Sequence, residues 1–138
     1  MIEPTVRLAA LTMSRILLVG SDLPWLQNHR AALAKVGADM ILSDPMELET
    51  HVGGERFDLV VLCHTLTDTA RRAATATAHR RWPHVRVLQI CADHAEMKSL
   101  DCPVDDRTAV ASDEIAAHAS KLLGEVGGIV SRRDRGFR

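Results

Sequence analysis

The chain has 138 residues, 46% of them hydrophobic, and sets 17 basic against 18 acidic residues for a formal charge of −1. That length fills one hydrophobic core without metal or disulfide staples and leaves no room for a second catalytic or DNA-binding domain. Near-neutrality creates no field toward nucleic acid or anionic lipid, the longest apolar runs fall far short of a bilayer span, and Cys63, Cys91 and Cys102 show no CxxC spacing, which excludes a secreted disulfide framework and a zinc ribbon.

The opening MIEPTVRLAALT lacks the basic start, apolar stretch and cleavage site of a secretory signal, so a soluble, cytoplasmic protein is the expectation. Met13 begins MSRILLVG, which reads as a natural chain start. Residues 1–13 are therefore taken as a flexible extension, 14–126 as one domain and 127–138, GGIVSRRDRGFR, as a basic tail.

Short β-branched runs then alternate with amphipathic stretches. A first strand, Ile16 to Val19, leads through Gly20, Ser21 and Asp22 into a helix over about Leu23 to Val36. Asp22 suits its N-cap, Pro24 its first turn, Leu26, His29 and Leu33 share its buried face, and Gly37 ends it. After a second strand, Asp39 to Leu42, the pattern Asp44, Pro45, Met46, Glu47 is a capping box for a short helix ending at Gly53 and Gly54.

Strand three, Phe57 to Cys63, is apolar at nearly every position, as a central parallel strand covered on both faces requires. Helix three, from about Asp68 to Trp82, is predicted to carry Arg71, Arg72, Arg80 and Arg81 outward, and Pro83 stops it. Strand four, Val85 to Cys91, precedes a second capping box, Asp93 and Glu96, on a short helix reaching Leu100. A weak edge strand is placed at Arg107 to Val110. In the last helix, which opens at Ser112, Ile115, Ala119, Leu122, Leu123 and Val126 recur at helical spacing.

Five strands joined by right-handed helical crossovers give an α/β fold, a three-layer α/β/α sandwich on a five-stranded parallel sheet. With strand order 2-1-3-4-5, ligands meet the carboxyl ends of strands one and three. Gly20, Ser21, Asp22, Cys63 and His64 fall at that switch point, whereas Asp58 begins its strand at the opposite end.

From about Ser14 to Val126 the chain resembles the receiver domain of bacterial two-component response regulators, a flavodoxin-like fold. RILLVGSDLPWLQNHRAALAKVG resembles the family's opening strand, acidic turn and first helix; ERFDLVVLC resembles its phosphoacceptor strand; VRVLQICA completes the likeness. The family's phosphorylation uses an acid pair after strand one to hold magnesium, an aspartate ending strand three, a threonine or serine ending strand four and a lysine ending strand five. Here Gly20 and Ser21 fall on the acid pair, with Asp22 one place late, Cys63 on the phosphoacceptor and Cys91 on the hydroxyl residue. No lysine occurs between Lys98 and Lys121. The resemblance then implies a degenerate phosphoacceptor pocket, Gly20, Ser21, Asp22, Cys63, His64 and Cys91, on a stand-alone pseudo-receiver that binds a protein partner or dimerises. No enzyme activity, cofactor or resident metal is expected. The family's fourth helix, fifth strand and fifth helix often form the binding face.

Other chemistry is weaker. Cys63 and Cys91 end neighbouring strands at similar height, which offers a redox pair, or a soft-metal site with His64 or His94, as the alternative to two buried thiols. A surface or hydrogen-bonded role is the default for both histidines. The C-x5-R phosphatase loop fails because Thr69 stands where arginine is needed. Arg132, Arg133, Arg135 and Arg138 lack interleaved aromatics, so nucleic-acid binding is not expected. Trp25, beside the crevice, is a candidate contact residue.

Overall fold

The computed structural model describes residues 14–50, 56–99 and 101–127. The proposed extension over 1–13, the helix end at Gly53 and Gly54, Leu100, and nearly all of the basic tail lie outside the described residues. The elements in chain order are β1 (Arg15–Val19), α1 (Leu23–Leu33), which tightens into a 3-10 turn (Ala34–Val36), β2 (Asp39–Ser43), α2 (Pro45–Thr50) and β3 (Leu59–Leu62). There follow α3 (Asp68–Arg81), β4 (Arg86–Cys91), α4 (His94–Ser99), β5 (Asp106–Ala109) and α5 (Ser112–Gly127).

Local chemistry explains the boundaries. Asp22 caps α1 by accepting from the Trp25 N–H at 3.4 Å, and Gly37, at φ 80°, takes the left-handed conformation that stops it. Both halves of the first capping box form: the Glu47 N–H donates to Asp44 Oδ1 at 2.7 Å and the Asp44 N–H to Glu47 Oε1 at 3.2 Å. In the second, Glu96 N–H donates to Asp93 Oδ1 at 2.8 Å, while Glu96 Oε1 reaches one residue further back to the Ala92 N–H at 2.6 Å. Thr67 caps α3 through the Ala70 N–H.

The five strands are all parallel in the order β2-β1-β3-β4-β5, so β3 is central and β5 is an edge. Side chains alternate between two cores. Ile16, Leu18, Leu59, Val61, Leu88 and Ile90 pack under Leu26 and Leu33 of α1 and Ile115, Ala119 and Leu122 of α5. On the other face Leu17, Val19, Val60, Leu62 and Val87 pack under Leu48 of α2 and Ala74 and Ala78 of α3. Each fully buried leucine or isoleucine contributes roughly 1.5–3 kcal/mol of transfer free energy, which is why β3 tolerates no polar position.

One expectation is corrected here. Arg71 does not point outward: it is 4% exposed, ion-paired with Asp68 on its own helix and with Glu96 Oε2 of α4 at 3.5 Å. A helical charge pattern cannot show that a neighbouring short helix will supply a second carboxylate. Arg72 and Arg80 are exposed as expected, and Arg81 is half-buried with one N–H donating to the Leu48 carbonyl at 3.3 Å. Among the described residues, no helix is long and apolar enough to cross a membrane.

Candidate functional site

Strand register decides which residues meet at the carboxyl edge. Val19 pairs with Leu62, so Gly20 and Cys63, one step further along, stand side by side, and the Cys63 N–H donates to the Val19 carbonyl at 2.8 Å. Both belong to the face covered by α1. A Cβ built on Gly20 would lie 2.8 Å from Cys63 Cβ and 2.8 Å from Leu26 Cδ2, so a larger residue does not fit without displacing a neighbour. Ser21 is exposed, and Asp22 is occupied with its cap.

Around that contact the fold assembles a cluster of nitrogen and sulfur groups. Cys63 is fully buried, and the Thr65 hydroxyl donates to its sulfur at 3.4 Å. The next residue, His64, is half-buried, with Nδ1 3.9 Å from Cys63 Sγ and 3.2 Å from His29 Nε2. His29, 2% exposed, comes from the inner face of α1. Trp25, one turn earlier, stacks on His29 at a centroid distance of 5.6 Å and meets His64 edge-on at 4.5 Å. Ligand atoms of His29, Cys63 and His64 all lie within 4.8 Å of one another.

Burial, reinforced by His64, pushes the His29 imidazole down to about 4, so it is neutral at physiological pH. Burial also lowers His64, against the opposing pull of Glu96 and Asp22. Two neutral rings in contact share one hydrogen bond, one nitrogen donating and the other accepting. Neutral imidazole is the form in which histidine ligates a borderline metal ion, and a neighbouring cysteine ligates as the thiolate.

The residues named from sequence do not all converge. Cys91 follows Ile90, which belongs to the α1-side core, so Cys91 faces the α3 side, opposite Cys63. Its surroundings agree: burial first, then Glu96, push the thiol up to about 11, against Arg71 and Arg107. Leu62 pairs with Gln89, so Cys63 stands level with Ile90, one residue short of Cys91, and the alternation of faces puts the two side chains on opposite sides of the sheet, which removes the basis for a Cys63–Cys91 pair. His94 is exposed at the start of α4, outside the group within ligand distance. His29 was the partner missed. Its signal was the Trp25, His29 spacing of one helical turn at the crevice end of the first helix, visible only once α1 is placed over the end of β3.

Beside this cluster, Trp25, Asn28, His29, Lys35 and Ile115 line part of a shallow groove of about 430 Å³ between α1 and α5.

No protein-family model and no curated protein sequence matches the chain. Solved structures do. The signal receiver domain of an HD domain-containing protein from Pseudomonas fluorescens is 16% identical, with a TM-score of 0.68 over 84% of this chain and 98% of that one. A CheY-like response regulator receiver domain protein from Methanospirillum hungatei is 17% identical, covers 84% and 98%, and scores 0.61. The receiver domain of a sensor histidine kinase from Pseudomonas aeruginosa, solved with a magnesium ion coordinated in its active site cleft, is 19% identical, covers 81% and 98%, and scores 0.63.

The fold is that of a receiver domain. The receiver topology, strand order 2-1-3-4-5 included, agrees with the sequence expectation, and each of these neighbours is matched over nearly its whole length. At these identities the likeness carries the scaffold and not the activity.

Proposed function

We propose that the protein is a receiver-fold signalling module that is not phosphorylated on aspartate and acts by binding a protein partner or a second copy of itself. The Gly20–Cys63 contact supports this reading most strongly. At Gly20, one of the two positions where the receiver resemblance places a metal-holding acid, a side chain would collide with Cys63 and Leu26, and where it places the phosphoacceptor there is a fully buried thiol.

Phosphoryl transfer is largely electrostatic positioning: magnesium and a cation neutralise the oxygens while an oxygen nucleophile is held in line. Magnesium demands hard oxygen ligands in near-octahedral geometry. Around Cys63 the groups are instead sulfur, two imidazoles and the glycine, and Asp22 is spent on the α1 cap. The histidine-kinase receiver domain with magnesium in its cleft marks the contrast. On this reading signalling runs through a surface. The receiver resemblance points to α4, β5 and α5, where His118, Lys121 and Asp106 already form a polar cluster bridging β5 and α5.

Magnesium titration of the full chain, followed by calorimetry and tryptophan fluorescence, tests the reading. The expected result is no saturable binding at millimolar ion. Tight, saturable magnesium binding abolished by Asp22→Asn would overturn it.

The alternative of a redox sensor built on Cys63 and Cys91 loses its geometric support, because the two thiols face opposite sides of the sheet.

A further inference from the structure

We propose that His29, Cys63 and His64 form a three-ligand site for a zinc(II) ion at the carboxyl edge of the sheet, with the fourth position open toward solvent or a partner. It is a different residue set from any the sequence suggested, since His29 replaces Cys91 and His94.

Geometry carries the assignment. Zinc takes thiolate sulfur at about 2.3 Å and imidazole nitrogen at about 2.0–2.1 Å in a tetrahedron, which sets neighbouring ligand atoms roughly 3.3–3.8 Å apart. His29 Nε2 and His64 Nδ1 are 3.2 Å apart, Cys63 Sγ and His64 Nδ1 are 3.9 Å apart, and the third separation does not exceed 4.8 Å. Two edges of a coordination triangle are therefore present before any ion arrives, and small side-chain rotations close the third.

The donor chemistry selects the ion. One sulfur and two imidazole nitrogens suit zinc and its late first-row neighbours and mismatch magnesium or calcium. Whichever of His29 Nε2 and His64 Nδ1 carries the hydrogen of their mutual bond passes it to the other nitrogen of its own ring, so that both facing nitrogens are free to ligate. Binding releases one proton, from the Cys63 thiol to solvent, as the sulfur–zinc bond forms. The Thr65 hydroxyl, already donating to that sulfur, would stabilise the thiolate from outside the coordination shell.

The ligands also sit on rigid elements. His29 is fixed on α1 beneath Trp25, and Cys63 and His64 leave the fully buried β3. Tying α1 to the end of the central strand couples ion occupancy to the groove between α1 and α5, where Trp25 and His29 are both wall residues. Metal binding at the trio does not depend on how the phosphorylation pocket is read, because its ligands are those present and not those missing.

The test is titration of the reduced, untagged full chain with cobalt(II), then displacement by zinc(II). The expected result is one ion per chain, a near-ultraviolet thiolate-to-cobalt charge-transfer band with visible bands of tetrahedral intensity, and loss of both on adding zinc. Cys63→Ser should abolish the charge-transfer band, and His29→Gln and His64→Gln should each weaken binding at least tenfold. Cys91→Ala and His94→Gln should bind like the parent. Circular dichroism checks that each variant is folded. Should Cys63→Ser fail to fold, the half-buried His64→Gln decides by itself. No charge-transfer band in the parent, or affinity unchanged in a folded His64→Gln, overturns the site and shows that the trio is only an aromatic and hydrogen-bonded packing cluster. Neither outcome bears on phosphorylation, which is tested separately.

Discussion

Gly20 and Cys63 leave no space between them: a methyl group on Gly20 would sit 2.8 Å from the Cys63 Cβ. The ends of β1 and β3 thus meet as a closed packing contact at the place where this fold usually opens a crevice. Gly20→Ala is predicted to destabilise the chain by about 1–3 kcal/mol through overpacking against Cys63 and Leu26. Urea unfolding measures it, and an unchanged midpoint would show that the contact yields freely.

Arg71 and Arg72 should behave in opposite ways despite being neighbours. Arg71 is buried between Asp68 and Glu96, whereas Arg72 meets Asp101 at 3.4 Å on the surface. Arg71→Ala strips a carboxylate of its partner and removes a buried stem, for roughly 1–3 kcal/mol after discounting the exposed Asp68. Arg72→Ala should stay within about 0.5 kcal/mol. Equal effects in the same urea series would contradict the burial of Arg71.

The two arginines also show how far a single sequence reaches. Caps and the two-sided burial of β3 were readable because each depends on residues a few positions apart or on a simple period, whereas the strand order came with the receiver resemblance. Asp44 with Glu47 and Asp93 with Glu96 needed no tertiary information. Arg71 was misread because its second partner arrives from α4, 25 residues on in the chain. Likewise, His29 and His64 are 35 positions apart and meet only when α1 is laid across β1 and β3. The separation of Cys63 from Cys91 needed strand register, since position at a strand end fixes height and not face.

Asp106 gives the acid side of the stability curve a defined shape. Burial tends to raise its carboxyl, but hydrogen bonds from His118 at 2.7 Å, the Arg107 N–H and Lys121 at 3.1 Å outweigh this and leave it below its ordinary 3.8. A depressed carboxyl contributes stability that is full above the unfolded value and is lost as pH falls through the lower folded value. Asp106→Asn should therefore flatten the stability profile below about pH 4, by no more than about 1 kcal/mol because Lys121 is exposed. A profile as steep as the parent's would assign the acid loss elsewhere.

All three cysteines are buried, and Cys91 is further disfavoured as a thiolate, with its thiol pushed up to about 11. Native thiols should accordingly resist an alkylating reagent at neutral pH and react together after denaturation. Peroxide should yield no Cys63–Cys91 disulfide, because the side chains face opposite cores. Peptide mapping that finds this bond in folded protein would sink the assignment of faces.

The proposed absence of aspartyl phosphorylation is open to intact-mass measurement after incubation with acetyl phosphate and magnesium. The expected result is an unmodified mass, for the parent and for Cys63→Ala alike. A stoichiometric, acid-labile phosphoryl adduct on an aspartate of the native chain would contradict it.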